Sequence, residues 1–486
     1  MMHPLAIWLV DSPATAARNI LRFTPMSRPE SLFVARYTAE SRMKPAALLL
    51  CTAAAPWLAA QPASLAALAD REVPSLTGFY QDLHAHPELS RQEEHTSARL
   101  AGELRKAGFT VTEHLGKYAD GRPGYGIVAI LKNGPGPTVL VRTELDALPI
   151  EEKTGLPFAS RVHVRNASGQ EVGVMHACGH DLHMSSFLGT ARVLAQIEDR
   201  WSGTLMMVGQ PAEETVEGAR AMLTDGVYTR FPKPDFAIAL HDEPTVEAGK
   251  VALRAGPIYA SATTLDVTIR GVGGHGAHPE ATKDPVVMAA EYIMALQTIV
   301  SRQNPPLSPA VVTVGSIHGG SKNNIIPDEV VLQLTVRAFS EDVRVKMLAS
   351  IERMARGIAL VGGVPEDRAP IVKVYPEESV PETYNDPQLA ARLKQVFVAA
   401  LGAANVIDND PIMVSEDFGL FSLDGHRIPS LQFQLGAAFP EKLEEARRTG
   451  KPVTTLHSSL FYPQFEPALR TGIVATSSAV LDLMKK

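Results

Sequence analysis

Cysteine is scarce in this sequence, and its scarcity excludes a disulfide-based scaffold. The 486 residues include only two cysteines, Cys51 and Cys178, whereas small disulfide-rich domains need several closely spaced pairs. Basic residues are also fewer than acidic ones: the sequence has 46 lysines and arginines and 53 aspartates and glutamates, for a formal net charge of −7. No basic run could neutralise a phosphate backbone, so we expect no nucleic-acid partner. No apolar run reaches the roughly 20 residues needed to cross a bilayer, so we expect no membrane span.

The N-terminal region contains a segment with the pattern of a signal peptide, preceded by residues that we expect not to belong to the protein. Residues 43–60 combine a short basic start, an apolar segment and small residues, the order of a secretory signal peptide. Residues 1–42 have no comparable order, which predicts that Met43 is the true start. Cleavage near Ala60 would leave Cys178 as the single thiol of an exported protein, periplasmic or secreted. Such a thiol needs protection, and a bound metal ion would provide it.

Two stretches, residues 70–256 and 373–486, carry the pattern of an α/β domain. Short apolar runs alternate there with helical segments, which indicates strands buried on both faces of a mainly parallel sheet. The runs are GIVAIL from residue 126, TVLVR from 138, GTLMMV from 203, FAIAL from 236 and SLQFQL from 430. Helices are expected over residues 78–109, 181–197 and 385–401, the first in two parts: one that carries LHAHPELS and a second from Gln92 to Gly108. We therefore expect one domain built from two separate parts of the chain.

Residues 257–372, between those two parts, follow a different pattern. Strands and helices are expected in the order β-α-β-β-α-β, which is the ferredoxin-like arrangement. Asp284 and Pro285 are typical of the start of a helix. The positions expected on the apolar face of this helix are Val286, Ala290, Ile293, Leu296 and Ile299. The segment is therefore predicted to form a separate α+β domain inserted into the α/β domain.

Ionisable residues follow three of the predicted strands. They are Arg142, Glu144 and Asp146 after the strand at 138, Glu213 and Glu214 after that at 203, and His241 after that at 236. Because ligands bind at the carboxyl ends of strands in open α/β sheets, these side chains are expected to meet at one site. The stretch HACGHDLH, residues 176–183, precedes a helix and would bring Cys178 and His180 to its N-terminus. The partial positive charge there favours a thiolate.

Together these residue types indicate a catalytic metal site. Thiolate, imidazole and carboxylate are the ligands that hold zinc and similar ions. A closed structural zinc site uses mostly cysteines, whereas a mixed set with a spare glutamate leaves one carboxylate free to move protons. Two alternatives remain open. The octet could be a solvated polar turn, or Cys178 could be a nucleophile assisted by a histidine, although Glu213, Glu214 and His241 would then have no role.

Nine motifs in order extend from about Leu76 to the C-terminus and carry a specific resemblance. They are LHAHPELS at 83, RTELDALP at 142, HACGHDLH at 176, QPAEE at 210, LHDEP at 240, GGHGAHP at 273, NNIIPDE at 323, SEDF at 415 and LHSSLF at 456. The chain resembles the aminoacylase/carboxypeptidase-G metallopeptidase family, in particular its amidohydrolase branch with hippurate hydrolase and indoleacetyl-amino-acid hydrolases. The resemblance implies a zinc-peptidase-like mixed α/β sheet flanked by helices, with an inserted ferredoxin-like α+β lid that forms a homodimer.

The resemblance also implies a site with two divalent metal ions. Zinc or manganese is favoured, and cobalt or nickel would tolerate the same ligands. The implied ligands are Cys178, His180, Glu214, His241 and His457. Glu213 is implied as the general base, and His275 of the lid as the group that stabilises the oxyanion, reaching over from a partner subunit.

Further roles follow from the same resemblance. Arg337, with Asn324 of the lid, is expected to bind the carboxylate of the substrate. The residues expected to orient the metal ligands are His176, Asp181, His183 and Asp417. Glu144 departs from the family, which usually has Asp there, and its longer side chain is expected to alter a contact behind the ligands.

The implied activity is hydrolysis of the amide bond of N-acyl or N-aroyl amino acids to a carboxylic acid and a free amino acid. A dipeptidase or carboxypeptidase using the same two-metal site is the alternative within enzymes. An exported binding protein that has lost catalysis is an alternative from another class, and the presence of Glu213 speaks against it.

Overall fold

The computed structural model describes residues 63–166 and 168–486. All elements below belong to the compact unit Pro62–Lys486. The predicted upstream start (1–42) and signal peptide (43–60) lie outside the described residues. Within the described residues, no helix is long and apolar enough to cross a membrane.

Helices and strands alternate along most of the described chain. The helices are α1 Leu65–Ala85, α2 Glu94–Lys106, α3 His180–Gln196, α4 Gly218–Thr224, α5 Val227–Arg230, α6 Pro285–Thr298, α7 Glu341–Val361, α8 Pro387–Leu401, α9 Pro440–Thr449 and α10 Phe465–Leu483. The strands are β1 Thr110–Lys117, β2 Pro123–Asn133, β3 Thr138–Glu144, β4 His163–Arg165, β5 Glu171–Gly173, β6 Gly203–Gln210, β7 Phe236–Glu247, β8 Val251–Leu253, β9 Gly256–Tyr259, β10 Ser261–Arg270, β11 Gly274–His275, β12 Ala310–Gly319, β13 Ile325–Ile326, β14 Glu329–Ala338, β15 Ile371–Val380, β16 Thr383–Asn385, β17 Val406–Asp408 and β18 Ser430–Ala438.

The larger sheet has eight strands in the order β1-β2-β6-β3-β7-β18-β8-β17. Its centre, β6-β3-β7-β18, is parallel, and every residue of β3 and β18 is buried. Val139 and Val141 pack against α1, α3 and α10 on one face, whereas Leu140 packs against α4 and the segment 417–422 on the other. Burial on both faces explains the continuous apolar runs. The expectation of a mainly parallel sheet is wrong for β2, the GIVAIL run, which is antiparallel to β6.

The second sheet has four antiparallel strands in the order β12-β14-β10-β15. The helices α6 and α7 pack on one face of it, so the elements follow the predicted β-α-β-β-α-β order. Strand β15 continues to Val380, which puts the predicted boundary at residue 372 inside a strand. The other predicted domain boundaries stay predictions. We call the four-stranded sheet, its two helices and the segments that connect them the lid.

Two local predictions are wrong. The second part of the helical region expected over 78–109, from Gln92, corresponds to α2, but the first part was expected to include LHAHPELS, and residues 86–93 lie outside both α1 and α2. Helix α1 begins earlier, where the side chain of Ser64 accepts from the backbone N–H of Ala67. It ends at Ala85, two residues before Pro87, because the residue preceding a proline is disfavoured in a helix.

The buried face of α6 also differs from the prediction. Val286 is 45% exposed and Ala290 is exposed, although both were expected to face the core. Met288 and Tyr292 are buried in their place. Because α6 is apolar on most of its circumference, its periodicity could not determine which face the sheet would cover.

Candidate metal centre

Five side chains that can bind metal converge at the carboxyl edge of the central strands. They are Cys178 from the turn before α3, His180 from the first residue of α3, Glu214 from the loop after β6, His241 from β7, and His457 from the loop after α9. The structure therefore brings together all five ligands implied by the resemblance. His241 lies within β7, which continues to Glu247, and not after the strand as the sequence indicated.

The distances define two overlapping groups. Cys178, His180 and His241 offer ligand atoms that all lie within 4.8 Å of one another, and Cys178, Glu214 and His457 form a second such group. Cys178 Sγ is 3.6 Å from His241 Nε2, and Glu214 Oε2 is 3.5 Å from His457 Nε2. Because Cys178 belongs to both groups, its sulfur is placed to be a ligand in either of them.

The backbone orients two of the imidazoles towards this cluster. His180 Nδ1 is 2.8 Å from the carbonyl oxygen of Asp146, and His241 Nδ1 is 2.9 Å from that of Asp242. Such bonds hold the ring and leave Nε2 free to bind metal. Among the described residues, the buried His180 Nε2 and Glu214 Oε1 have no hydrogen-bond partner. Since unpartnered buried polar atoms are costly, these two atoms fit a metal ion.

The charge balance of the site also fits a cation. Burial, and then Asp146, raise the pKa of Glu214 to about 8. Burial raises the pKa of Glu213 well above its usual range, and Glu416 and Glu214 add to the effect. A divalent cation at this position would reverse these shifts and favour the carboxylates.

The same argument weakens the nucleophile alternative for Cys178. Burial raises the pKa of its thiol well above the usual range, and the carboxylates of Glu214 and Glu213 raise it further. Reactive cysteines instead have a lowered pKa next to a positive charge. Without a metal ion the site disfavours the thiolate that a cysteine hydrolase requires.

Arg142 stands behind the cluster and holds three carboxylates. It is the only buried lysine or arginine among the described residues. Its Nη2 is 2.7 Å from Glu416 Oε1 and 3.0 Å from Asp417 Oδ1, and its Nη1 pairs with Glu144. The longer side chain of Glu144 also reaches His183, with Oε2 3.0 Å from Nδ1. Sequence reasoning missed Glu416, although it lies next to Asp417 in the SEDF motif.

Glu213, the expected general base, lies beside the cluster with 7% of its surface exposed. Its Oε2 is 3.8 Å from His180 Nε2. The loop that carries it is anchored by two buried carboxylates. The backbone N–H of Glu214 donates to Asp146 Oδ2 at 3.0 Å, and that of Ala219 donates to Asp417 Oδ2 at 2.9 Å.

The remaining residues of HACGHDLH lie behind the ligands. Asp181 is 2.7 Å from His84 Nδ1, a partner that the sequence did not indicate. His176 is buried, and burial lowers its pKa to about 4. Neither of its ring nitrogens has a hydrogen-bond partner among the described residues.

The residues expected to act on the substrate, Arg337, His275 and Asn324, lie on the lid, and among the described residues Arg337 alone of the three forms a hydrogen bond to the α/β domain. Arg337 is half-buried, and its Nη1 donates to Ser415 Oγ at 2.9 Å, one residue before Glu416. His275 and Asn324 are exposed and adjacent, with the N–H of Gly276 donating to the Asn324 carbonyl at 2.9 Å. No hydrogen bond or ion pair within residues 63–166 and 168–486 links either of them to the metal cluster.

Residues 140–444 match the Peptidase family M20/M25/M40. The chain belongs to this family. Membership confirms the resemblance read from the motifs, and it makes the protein a metal-dependent hydrolase of the amidohydrolase, deacetylase and peptidase kind.

The relatives that this chain matches have names of different activities. The chain is 36% identical over 353 residues to the N-acetyl-L-cysteine deacetylase of Bacillus subtilis, covering 71% of this chain and 77% of that protein. It is 34% identical over 362 residues to thermostable carboxypeptidase 1 of Saccharolobus solfataricus, covering 74% and 85%. It is 34% identical over 356 residues to the hippurate hydrolase of Campylobacter jejuni, covering 72% and 86%.

Solved structures of other proteins have the same fold. A dinuclear metal-binding peptidase of the family from Bacillus subtilis is 27% identical, with a TM-score of 0.68 over 85% of this chain and 99% of that chain. A protein from methicillin-resistant Staphylococcus aureus is 29% identical, with a TM-score of 0.76 over 87% and 99%.

Proposed function

We propose that the protein hydrolyses the amide bond of N-acyl or N-aroyl amino acids, releasing a carboxylic acid and a free amino acid. The observation that carries the proposal is the position of Glu213 beside five metal-binding side chains, with Arg337 half-buried between the lid and the α/β domain. A site with a base, a cation centre and a carboxylate-binding arginine suits a carboxylated amide.

Two divalent metal ions would polarise the scissile carbonyl and lower the pKa of water. The residues that would hold them are Cys178, His180, Glu214, His241 and His457. Glu213 takes the proton from the attacking water and delivers it to the leaving nitrogen.

The lid residues orient the substrate in this proposal. Within the described residues, Arg337 donates only to Ser415 Oγ and to the Met413 carbonyl, so its guanidinium has capacity left for the substrate carboxylate. His275 Nδ1 accepts from the backbone N–H of Ala277 at 3.0 Å. This bond puts the ring proton on Nε2, which can then donate to the developing oxyanion.

The first test is glycine release from N-benzoylglycine, before and after treatment with EDTA and after addition of zinc or manganese. We expect activity to be lost on chelation and to return with metal. Activity that persists without metal would contradict the proposal. The same series with cobalt and nickel would identify the preferred metal.

A carboxypeptidase is the second candidate, because one relative has that name and the same site would serve it. N-benzoylglycyl-leucine separates the two activities. A carboxypeptidase releases leucine from it faster than glycine from N-benzoylglycine, whereas the proposed amidohydrolase prefers the latter. Unblocked dipeptides test the dipeptidase variant.

We further propose a homodimer formed through the lid. The lid exposes apolar side chains that a partner would cover, namely Val286, Val287, Met294 and Ile317, between 45% and 71% exposed. Such a dimer would allow His275 to reach the site of the other subunit. Analytical ultracentrifugation of the wild type and of Met294→Glu tests this: a monomeric wild type would contradict it.

Export is proposed from residues 43–60 alone. N-terminal sequencing of the protein from a secreted or periplasmic fraction should find Gln61 as the first residue or a close neighbour. An intact Met1 or Met43 in the mature protein would contradict export by this signal.

A further inference from the structure

The turn between α1 and α2 contacts the loop that carries Glu213. Glu93 is fully buried at the end of this turn. Its Oε1 accepts from the backbone N–H of Ala212 at 2.8 Å and from that of Arg91 at 2.8 Å. Ala212 directly precedes Glu213, so one buried carboxylate from a distant part of the chain holds the peptide next to the proposed base.

The backbone on both sides of this contact is in the left-handed region. Ala212 has φ +50°, Val216 has φ +53° and Arg91 has φ +67°. Residues with a side chain rarely adopt such angles unless their surroundings hold them there, and such strain concentrates at functional sites. Glu93 bonds to two of these three residues.

The same turn holds the far end of the loop. Arg91 Nε donates to Glu217 Oε2 at 2.8 Å. The loop closes on itself between these two points, because the N–H groups of Glu217 and Gly218 donate to the Ala212 carbonyl at 3.2 and 3.1 Å. Glu93 therefore forms a hydrogen bond to the start of the loop at Ala212, and Arg91 forms one to its end at Glu217.

We propose that Glu93 is a positioning residue, whose Oε1 holds Ala212 in its left-handed conformation and so directs the Glu213 side chain towards the metal cluster. The inference rests on the proposed role of Glu213 as base. Within the described residues, Glu93 makes no hydrogen bond to a metal-binding side chain or to Arg337. Its loss should therefore lower kcat and leave KM nearly unchanged.

The experiment compares Glu93→Ala and Glu93→Gln with Glu94→Ala. Glu94 is the adjacent glutamate, is exposed and is the matched control. Hydrogen exchange of peptides covering residues 208–218 reports the loop directly, without any need for activity. We expect exchange there to be about tenfold faster in Glu93→Ala, because the buried hydrogen bond to Ala212 has been removed.

Kinetics with N-benzoylglycine and saturating zinc or manganese give the second readout. We expect kcat of Glu93→Ala to fall about 10²-fold, because a small misplacement of a reacting group lowers the rate by about this factor. KM should stay within about twofold of the wild-type value. Glu93→Gln should recover part of the loss, because an amide oxygen can still accept from Ala212. If Glu93→Ala does not fold, Glu93→Gln is compared with Glu94→Ala in both the hydrogen-exchange and the kinetic measurements.

Loop exchange equal to that of Glu94→Ala would overturn the inference. So would an unchanged kcat, or an increase in KM alone. An inactive wild-type protein would contradict the proposed function, whereas the exchange measurement would still decide whether Glu93 holds the loop.

Discussion

Nδ1 of His84 lies 2.7 Å from Oδ2 of Asp181, so the last turn of α1 is joined to the first turn of α3 beside the proposed ligand His180. The other ring nitrogen of His84 lies 3.1 Å from Glu152. Burial alone would lower the pKa of His84, but the two carboxylates outweigh it and raise that pKa to about 10. The buried imidazole is therefore charged at neutral pH and links the LHAHPELS motif to HACGHDLH.

This link makes stability depend on pH. The pKa of folded His84, about 10, lies above its ordinary value of 6.5. The stabilisation is thus complete below pH 6.5 and is lost as pH rises through about 10. His84→Gln should lower the free energy of unfolding at pH 6 by about 3–5 kcal/mol, the cost of breaking a buried pair. Urea unfolding of the wild type and of His84→Gln from pH 6 to 10 measures this difference. If the free energies of unfolding of the two proteins differ by the same amount at every pH, the prediction is wrong.

Glu213→Gln should separate metal binding from proton transfer. We expect kcat to fall about 10²–10⁴-fold, the usual contribution of a general base, while the metal content measured by elemental analysis stays that of the wild type. Glu214→Gln is the matched comparison, because it should lose metal as well as activity. Loss of metal in Glu213→Gln would instead show that Glu213 is a metal ligand.

Cys178 should behave as a ligand and not as a nucleophile. We expect Cys178→Ser to bind less zinc or manganese than the wild type, because a hydroxyl is a poor substitute for a thiolate ligand. The metal-loaded wild type should resist iodoacetamide at neutral pH, since its only described thiol is buried. Rapid inactivation with the metal still bound would restore the nucleophile reading.

Arg337→Ala should weaken recognition of the substrate carboxylate. A charge-assisted bidentate contact contributes about 1.5–3 kcal/mol, so KM for N-benzoylglycine should rise roughly 10–100-fold. N-benzoylglycinamide lacks the carboxylate and should show little change. Arg344→Ala is the control, because that lid arginine is paired with Glu341. Equal effects on both substrates would exclude the proposed role.

Much of the metal cluster could be predicted from the sequence, because its ligands follow buried strands or open a helix. The apolar runs before Glu214 and His241 identify their strands, and parallel strands bring their carboxyl ends to one edge. His457 has no such local signal, since it lies in a loop after the exposed helix α9. Only the family motif LHSSLF indicated it.

The supporting contacts could not be predicted in the same way. His84 and Asp181 are 97 residues apart in the chain, and Arg142 and Glu416 are 274 apart. Periodicity reports only the local exposure of a segment, whereas a buried ion pair depends on which elements the fold stacks together. The same limit explains why Val286 and Ala290 of α6 were wrongly expected to be buried, since the sheet beneath the helix decided which side chains it covers.

The sequence by itself determined the residue types of the site, the α/β pattern and the inserted lid, because hydrophobic period and motif spacing are local properties. Only the tertiary structure decided how the site is held. It places Glu93 against Ala212 and surrounds Arg142 with three carboxylates. Such contacts form when distant segments share one buried space, where each charge must find a partner.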